Sequence, residues 1–191
     1  MKKLIYPPVV LMIICVVVCG ILVGAYKLTY KNTTGVMTDD LKSACEAVFP
    51  DSKGEDFNIV LDRSKTEKTP LTFENENINS IILSSDKSKC LVEVTADGYA
   101  KGGIHILVGI NQADEIAGVE FVSCGETPGL GTKLRDKKEL FIDKLKGFSS
   151  DDNLDNIDNV TGATYSSKGM KNAVKTALEV YTKHKEAILS E

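Results

Sequence analysis

Residues 4–26 carry no charged side chain, and the run LIYPPVVLMIICVVVCGILVGAY is apolar on every face rather than along one stripe. An α-helix of about 20 such residues crosses a hydrocarbon core about 30 Å thick, so the pattern predicts one transmembrane span inside an anchor of residues 1–31. A cleaved signal peptide has a shorter apolar run, roughly 7–15 residues, and a small-x-small cleavage site, neither of which fits. Cys15 and Cys19 follow Met-Ile-Ile and Val-Val-Val, which is no setting for a lipid anchor.

Beyond a polar linker at 30–35 the periodicity changes. Thr38 has the chemistry of an N-cap, Asp39 and Asp40 suit a first helical turn, and Leu41, Ala44, Cys45, Val48 and Phe49 fall on one face before Pro50. Short β-rich runs follow at 59–61, 78–83, 90–94, 104–110 and 116–122, separated by polar or glycine-containing turns. Helical spacing returns at 137–146 and again at 167–185, where Met170, Ala173, Val174, Ala177, Leu178 and Tyr181 form a stripe. The expected fold class is α+β: one N-terminal transmembrane helix and a single soluble domain, residues 32–191, with a mostly antiparallel sheet flanked by helices.

Charge changes the picture in two ways. Of 23 Lys+Arg and 27 Asp+Glu, the first 31 residues hold four lysines and no acid, so the remainder stands near −8. Such a domain is no nucleic-acid or anionic-lipid binder. Lys2, Lys3 and the terminal amine balance Lys27 and Lys31 so closely that the positive-inside rule leaves the orientation open. Five cysteines, Cys15, Cys19, Cys45, Cys90 and Cys124, are too widely spaced for a zinc or iron–sulfur site, and the last three read as buried inert thiols. His105 and His184 stand without a partner in spacing, and the acidic run at 151–158 lacks the glycine and closing glutamate of an EF-hand. No metal site and no catalytic acid or base is expected.

Two segments carry candidate chemistry. In Gly125-Glu126-Thr127-Pro128-Gly129-Leu130-Gly131-Thr132, Pro128 holds Thr127 extended, while Gly129 and Gly131 allow positive φ and close approach of a flat or phosphorylated ligand. In Asp158-Asn159-Val160-Thr161-Gly162-Ala163-Thr164-Tyr165-Ser166, a hydroxyl-rich run ends where the last helix begins, with Ser166 and Ser167 as N-cap candidates. Helix N-termini offer unpaired N–H groups and partial positive charge to a phosphate. An ordinary glycine turn and an N-cap serine that binds nothing account for the same residues.

Together the two segments resemble the FMN-binding domain family, which includes the G subunit of the Rnf ion-translocating electron-transport complex and the C subunit of the sodium-translocating NADH:quinone reductase. The Gly98-Tyr99 turn leading through Gly102-Gly103 is similar as well, and the modest length favours the Rnf member. The resemblance implies FMN joined by a phosphoester to the last hydroxyl of the pattern, here Ser166, with Thr164 and Ser167 as lesser alternatives. Relatives often have threonine at the position of Ser166. It implies further that Thr161, Gly162, Ala163, Thr164, Glu126, Thr127, Leu130 and Gly131 surround the cofactor. A separate flavin transferase using FAD would attach it outside the cytoplasmic membrane, and Asp158 would help present the substrate. The implied protein is a single-pass cell-membrane flavoprotein with its N-terminus in the cytoplasm and its domain outside. It would pass electrons among other membrane subunits of a ferredoxin:NAD oxidoreductase. An anchored flavin-binding sensor, or an FMN carrier for another reductase, has the same motifs.

Overall fold

The computed structural model describes residues 2–29, 37–62 and 77–190, with side chains for 8–28, 37–62 and 77–190. The expected linker at 30–35 lies outside them. The chain divides into two units, residues 1–33 and 34–191. The first is helix α1, Lys2–Thr29. Its stretch Pro8–Leu28 has a mean hydropathy of 2.9, long and apolar enough to cross a membrane. With apolar side chains exposed all round, this helix has no stripe to bury in a protein core.

The second unit is α+β. Helix α2, Asp39–Val48, begins where Thr38 accepts a hydrogen bond from the Leu41 N–H at 3.2 Å. Five strands follow, β1 (Phe57–Asp62), β2 (Ile78–Ser84), β3 (Cys90–Ala96), β4 (Ile104–Ile110) and β5 (Ile116–Cys124). They form one antiparallel meander in chain order. Helix α3, Lys133–Asp136, is followed by the long helix α4, Thr164–Ser190, which kinks at His184.

Period-2 alternation assigns each strand residue to a face. Val92, Val94, Ile104, Ile106 and Val108 share the larger core with Met170, Ala173, Val174 and Ala177 of α4, whereas Ile82, Leu91 and Leu107 face Leu41, Cys45 and Val48 of α2. The sheet is covered on both sides, hence its nearly continuous apolar strands. On the α2 side Gly109 leaves room for the helix, because a Cβ there would collide with Val48 and come within 2.9 Å of the Phe49 ring.

Three expectations change. The helix predicted at 137–146 is instead α3 and two short 3-10 turns, Lys138–Leu140 and Ile142–Leu145, whose Leu134, Phe141, Ile142 and Leu145 reach the core from a winding backbone. His105 is not alone either. Offset from direct register across β3 and β4, its Nε2 lies 2.7 Å from Glu93 Oε1. Burial by itself would raise the Glu93 carboxyl, but hydrogen bonds from His105, Ser80 and Asn79 and the imidazole's charge outweigh it and hold Glu93 below its ordinary value. All five cysteines are free; Cys45 and Cys90 are buried, which pushes both thiols up to about 12, while Cys124 is partly exposed rather than buried.

Candidate functional site

Three segments meet at one end of the sheet: the β3–β4 connection at 97–103, the loop after β5, and the start of α4. Gly125 donates its N–H to the Gly103 carbonyl at 2.8 Å, joining the first two. Gly169 lets α4 press against the first, since a Cβ there would overlap the Asp97 carbonyl and reach the Ile104 side chain at 2.9 Å. Between the three segments lies a groove of about 400 Å³, lined by Tyr99, Thr127, Leu130, Gly131 and the run from Gly162 to Ser166.

The loop before α4 is held from several sides. Ala163 donates to the Val160 carbonyl at 2.8 Å, closing a turn in which Gly162 has φ +80°. That left-handed position suits glycine. Ser167 Oγ accepts the Val160 N–H at 3.0 Å, and Lys171 Nζ donates to the Ile157 carbonyl at 2.5 Å. The helix starts at Thr164, so Ser166 and Ser167 are not its caps; both are buried inside the first turn. The residue in the cap position, Ala163, has no side-chain oxygen to meet the first N–H groups, which leaves them for an anion.

Of the residues expected at a cofactor, Thr127, Leu130, Gly131, Gly162, Ala163, Thr164 and Ser166 line the groove. Thr161 does not; it lies on the far side of its turn, beside a second cavity with Lys133, Lys137 and Lys144. Glu126 does not line the groove either. It is 4% exposed and sits beneath it, accepting hydrogen bonds from Tyr99 N at 3.2 Å, Ala100 N at 3.1 Å and Ser166 Oγ at 2.5 Å. Gly129 takes a positive φ of +73°, as expected, but Gly131 does not. Gly131 is required by space: a Cβ would lie 2.5 Å from Glu126 Oε2 and 2.6 Å from Ser166 Oγ.

Burial separates the candidate hydroxyls. Ser166 is 1% exposed with its proton engaged by Glu126, whereas Thr164 is exposed at the groove and at the first turn of a 27-residue helix. Tyr99 and Tyr165, 73% and 70% exposed, flank the mouth with ring centroids 6.5 Å apart. Pattern reading missed both tyrosines as site residues. Their signal was an aromatic inside a glycine turn and another in the open position of the hydroxyl pattern.

An apolar, aromatic-rimmed groove of this volume, with an anion-ready helix start at one end, fits a phosphorylated planar cofactor. Residues 98–179 match the family model described as FMN-binding domain, and that span contains the Tyr99 turn, the glycine loop and most of α4. This segment of the chain is thus similar to the FMN-binding domain family. Its relatives narrow the comparison. It is similar to the G subunit of the ion-translocating oxidoreductase complex of Shewanella piezotolerans, 36% identical over 107 residues, covering 51% of this chain and 50% of the relative. The proteins of the same description from Shewanella oneidensis and Aliivibrio fischeri are 34% identical over 108 residues and 31% identical over 119, covering 51% and 56% of this chain and 50% and 56% of theirs. The chain spans about half the length of the curated relatives it matches.

Proposed function

We propose that this protein is a membrane-anchored electron carrier whose FMN is joined by a phosphoester to Ser166, serving an Rnf-type ion-translocating oxidoreductase complex. The observation that carries the reading is the placement of Ser166 in the first turn of α4, on the wall of a groove sized for a flavin and within the span that matches the FMN-binding domain model. Its hydroxyl is 1% exposed and bonded to Glu126, so attachment requires the transferase to open that contact; Thr164, exposed at the same groove, is the lesser candidate.

In the attachment step a flavin transferase would present FAD. The Ser166 oxygen forms a bond to the FMN phosphorus, the bond to the adenylate oxygen breaks, and AMP leaves with the hydroxyl proton passed to the transferase or solvent. The product is heavier than the bare chain by FMN less one water. Unpaired N–H groups at the helix start would hold the phosphate, and Thr127, Leu130, Tyr99 and Tyr165 would enclose the ring. When bound, the flavin supplies reversible electron transfer; the chain's residues bind, orient and shield it. A covalent tether suits a domain outside the membrane, where lost cofactor is diluted beyond recovery by mass action. That placement, with α1 as a single-pass anchor and the N-terminus in the cytoplasm, follows from the family resemblance rather than from the charge balance.

Denatured protein from the native host should fluoresce as a flavin band on a gel. The S166A variant should lose the band while T164A keeps it. A band that survives in S166A refutes the assignment to Ser166, and a wild-type chain that never fluoresces refutes the covalent flavin.

A further inference from the structure

Charge is unevenly placed on the domain. Residues 32–191 stand near −8, yet the segment 133–146, between the glycine loop and the hydroxyl-rich motif, holds six Lys+Arg against three Asp+Glu. Its cations divide in two. Arg135, Lys138 and Lys146 are paired with Asp136, Glu120 and Asp143. Lys133, Lys137 and Lys144 form no ion pair among the described residues, and these three share the second cavity, of about 320 Å³, on whose lining Asp158 is the single acid. Apolar exposure is just as localised. Beyond α1, the large hydrophobic side chains exposed among the described residues are Tyr99, Leu130, Leu140 and Tyr165. Three of them line the groove and Leu140 lines the basic cavity. The two hollows share a wall, since a Cβ on Gly162 would lie 3.5 Å from Leu130 on one side and 3.7 Å from Lys133 Nζ on the other.

Solvated lysines and single exposed apolar side chains are each ordinary on a surface. Here both kinds coincide around the mouth of one groove, on a domain of opposite net charge. Aromatic and apolar anchors flanked by charge are the composition of a protein interface. We propose that this face is the docking surface for the protein that exchanges electrons with the flavin. That partner presents a carboxylate-rich segment, its Asp or Glu side chains entering the cavity of Lys133, Lys137 and Lys144 and an apolar residue resting on Leu140. The inference rests on the electron-carrier reading above and names the chemistry of the partner which that reading requires. Tyr99, Leu130 and Tyr165 serve the ring, whereas Leu140 and the three lysines lie outside the groove and stay available. Complementary charge steers such an encounter and fixes its orientation. An anionic bilayer offers the same charge, but laying this face on lipid would cover the mouth through which electrons pass.

The test treats native membranes with a carbodiimide, which condenses a lysine amine and a touching carboxylate into an amide and takes up the water as a urea. Peptide mass spectrometry should find Lys137 or Lys144 joined to an Asp or Glu of another membrane protein, while Lys53 and Lys175, exposed elsewhere on the domain, are not joined. Raising the salt from about 0.1 M to about 1 M, which shortens the screening length from about 10 Å to about 3 Å, should cut these links about tenfold. The partner so identified is then measured as it co-purifies with the solubilised full-length chain. K133Q/K137Q/K144Q should lose it about tenfold, the scale of a few exposed ion pairs lost together, and K133R/K137R/K144R, which keeps the charge, should retain it. Should the triple glutamine chain melt well below wild type, K137Q/K144Q decides, with a loss of about threefold or more expected. Links as frequent on Lys53 and Lys175, links indifferent to salt, or glutamine variants that keep the partner overturn the proposal. So does protection of the cavity's lysines from acetylation when the chain is reconstituted alone in bilayers rich in phosphatidylglycerol but not in phosphatidylcholine, which would make the face a lipid contact. The flavin is scored separately by mass spectrometry. Salt-sensitive links on a chain without flavin would keep the acidic-partner surface and refute the FMN reading; flavin without links would do the reverse.

Discussion

Two glycines in one loop, Gly129 and Gly131, are glycine for different reasons, and replacing each by alanine separates them. In G131A the new Cβ would sit 2.5 Å from Glu126 Oε2, 2.6 Å from Ser166 Oγ and 2.7 Å from Glu126 Cβ. These are about an ångström inside ordinary contact, and the obstacle is a buried carboxylate fixed by three hydrogen bonds, which cannot swing into solvent. Overpacking of this kind costs about 1–3 kcal/mol, and weakening hydrogen bonds to a buried charge adds about 1–2. The total expected is about 2–5 kcal/mol. In G129A the Cβ meets nothing within 4 Å, and only the φ of +73° is penalised, at about 1 kcal/mol. For a domain of this size each kcal/mol moves the melting temperature by about 2–4 °C. Calorimetry should therefore find G131A about 4–20 °C below wild type and G129A only about 2–4 °C below. Flavin per chain should drop in G131A because the Ser166 hydroxyl is displaced. A G131A protein that melts within about 2 °C of wild type with full flavin, or a G129A protein that loses more stability than G131A, refutes the reasoning.

Other expectations follow from the same geometry. Glu93 has its folded pKa depressed, so its contribution to stability is present above its unfolded value and is lost as pH falls through the folded one. E93Q should melt below wild type at pH 7, and the difference should shrink as pH drops below the carboxylate range; a pH-independent difference would contradict the Glu93–His105–Ser80 network. With Cys45 and Cys90 held as neutral buried thiols, a membrane-impermeant maleimide at pH 7.5 should label Cys124 alone among the three cysteines beyond α1. Labelling of Cys124 in intact spheroplasts tests the outside placement, and protection until lysis would reverse it. Y99A and Y165A should each raise the fluorescence yield of the folded, loaded protein by about twofold, since an aromatic ring stacked on a flavin quenches it. Unchanged yields would remove both tyrosines from the ring's surroundings. F141A, which empties a fully buried site, should cost about 3–5 kcal/mol in chemical denaturation, and a loss below about 1 would contradict its place in the core.

The fold was legible where periodicity is strong. All five strands lie where the β-rich runs predicted, and α2 and α4 appear because each carries an unbroken apolar stripe against a polar face. The region 137–146 misled because its apolar residues approximate a helical spacing, while its backbone closes short 3-10 turns and its side chains are placed by tertiary contacts. Within the site, local pattern located the two loops but could not assign depth. Glu126 and Ser166 share one hydrogen bond across 40 residues of sequence, so neither their burial nor the steric need for Gly131 is visible from neighbours in the chain. The pairing of His105 with Glu93 escaped notice for a related reason, since it depends on strand register.

The central claim is the ester on Ser166. Trypsin cuts after Lys146 and Lys168, releasing a peptide of residues 147–168 that contains every candidate hydroxyl of the second motif. Fragmentation mass spectrometry of that peptide from the native host should show the mass of FMN less one water, carried by fragments that include Ser166 and absent from those that begin at Ser167. The unmodified mass, or an adduct that stays with Thr164, would contradict it.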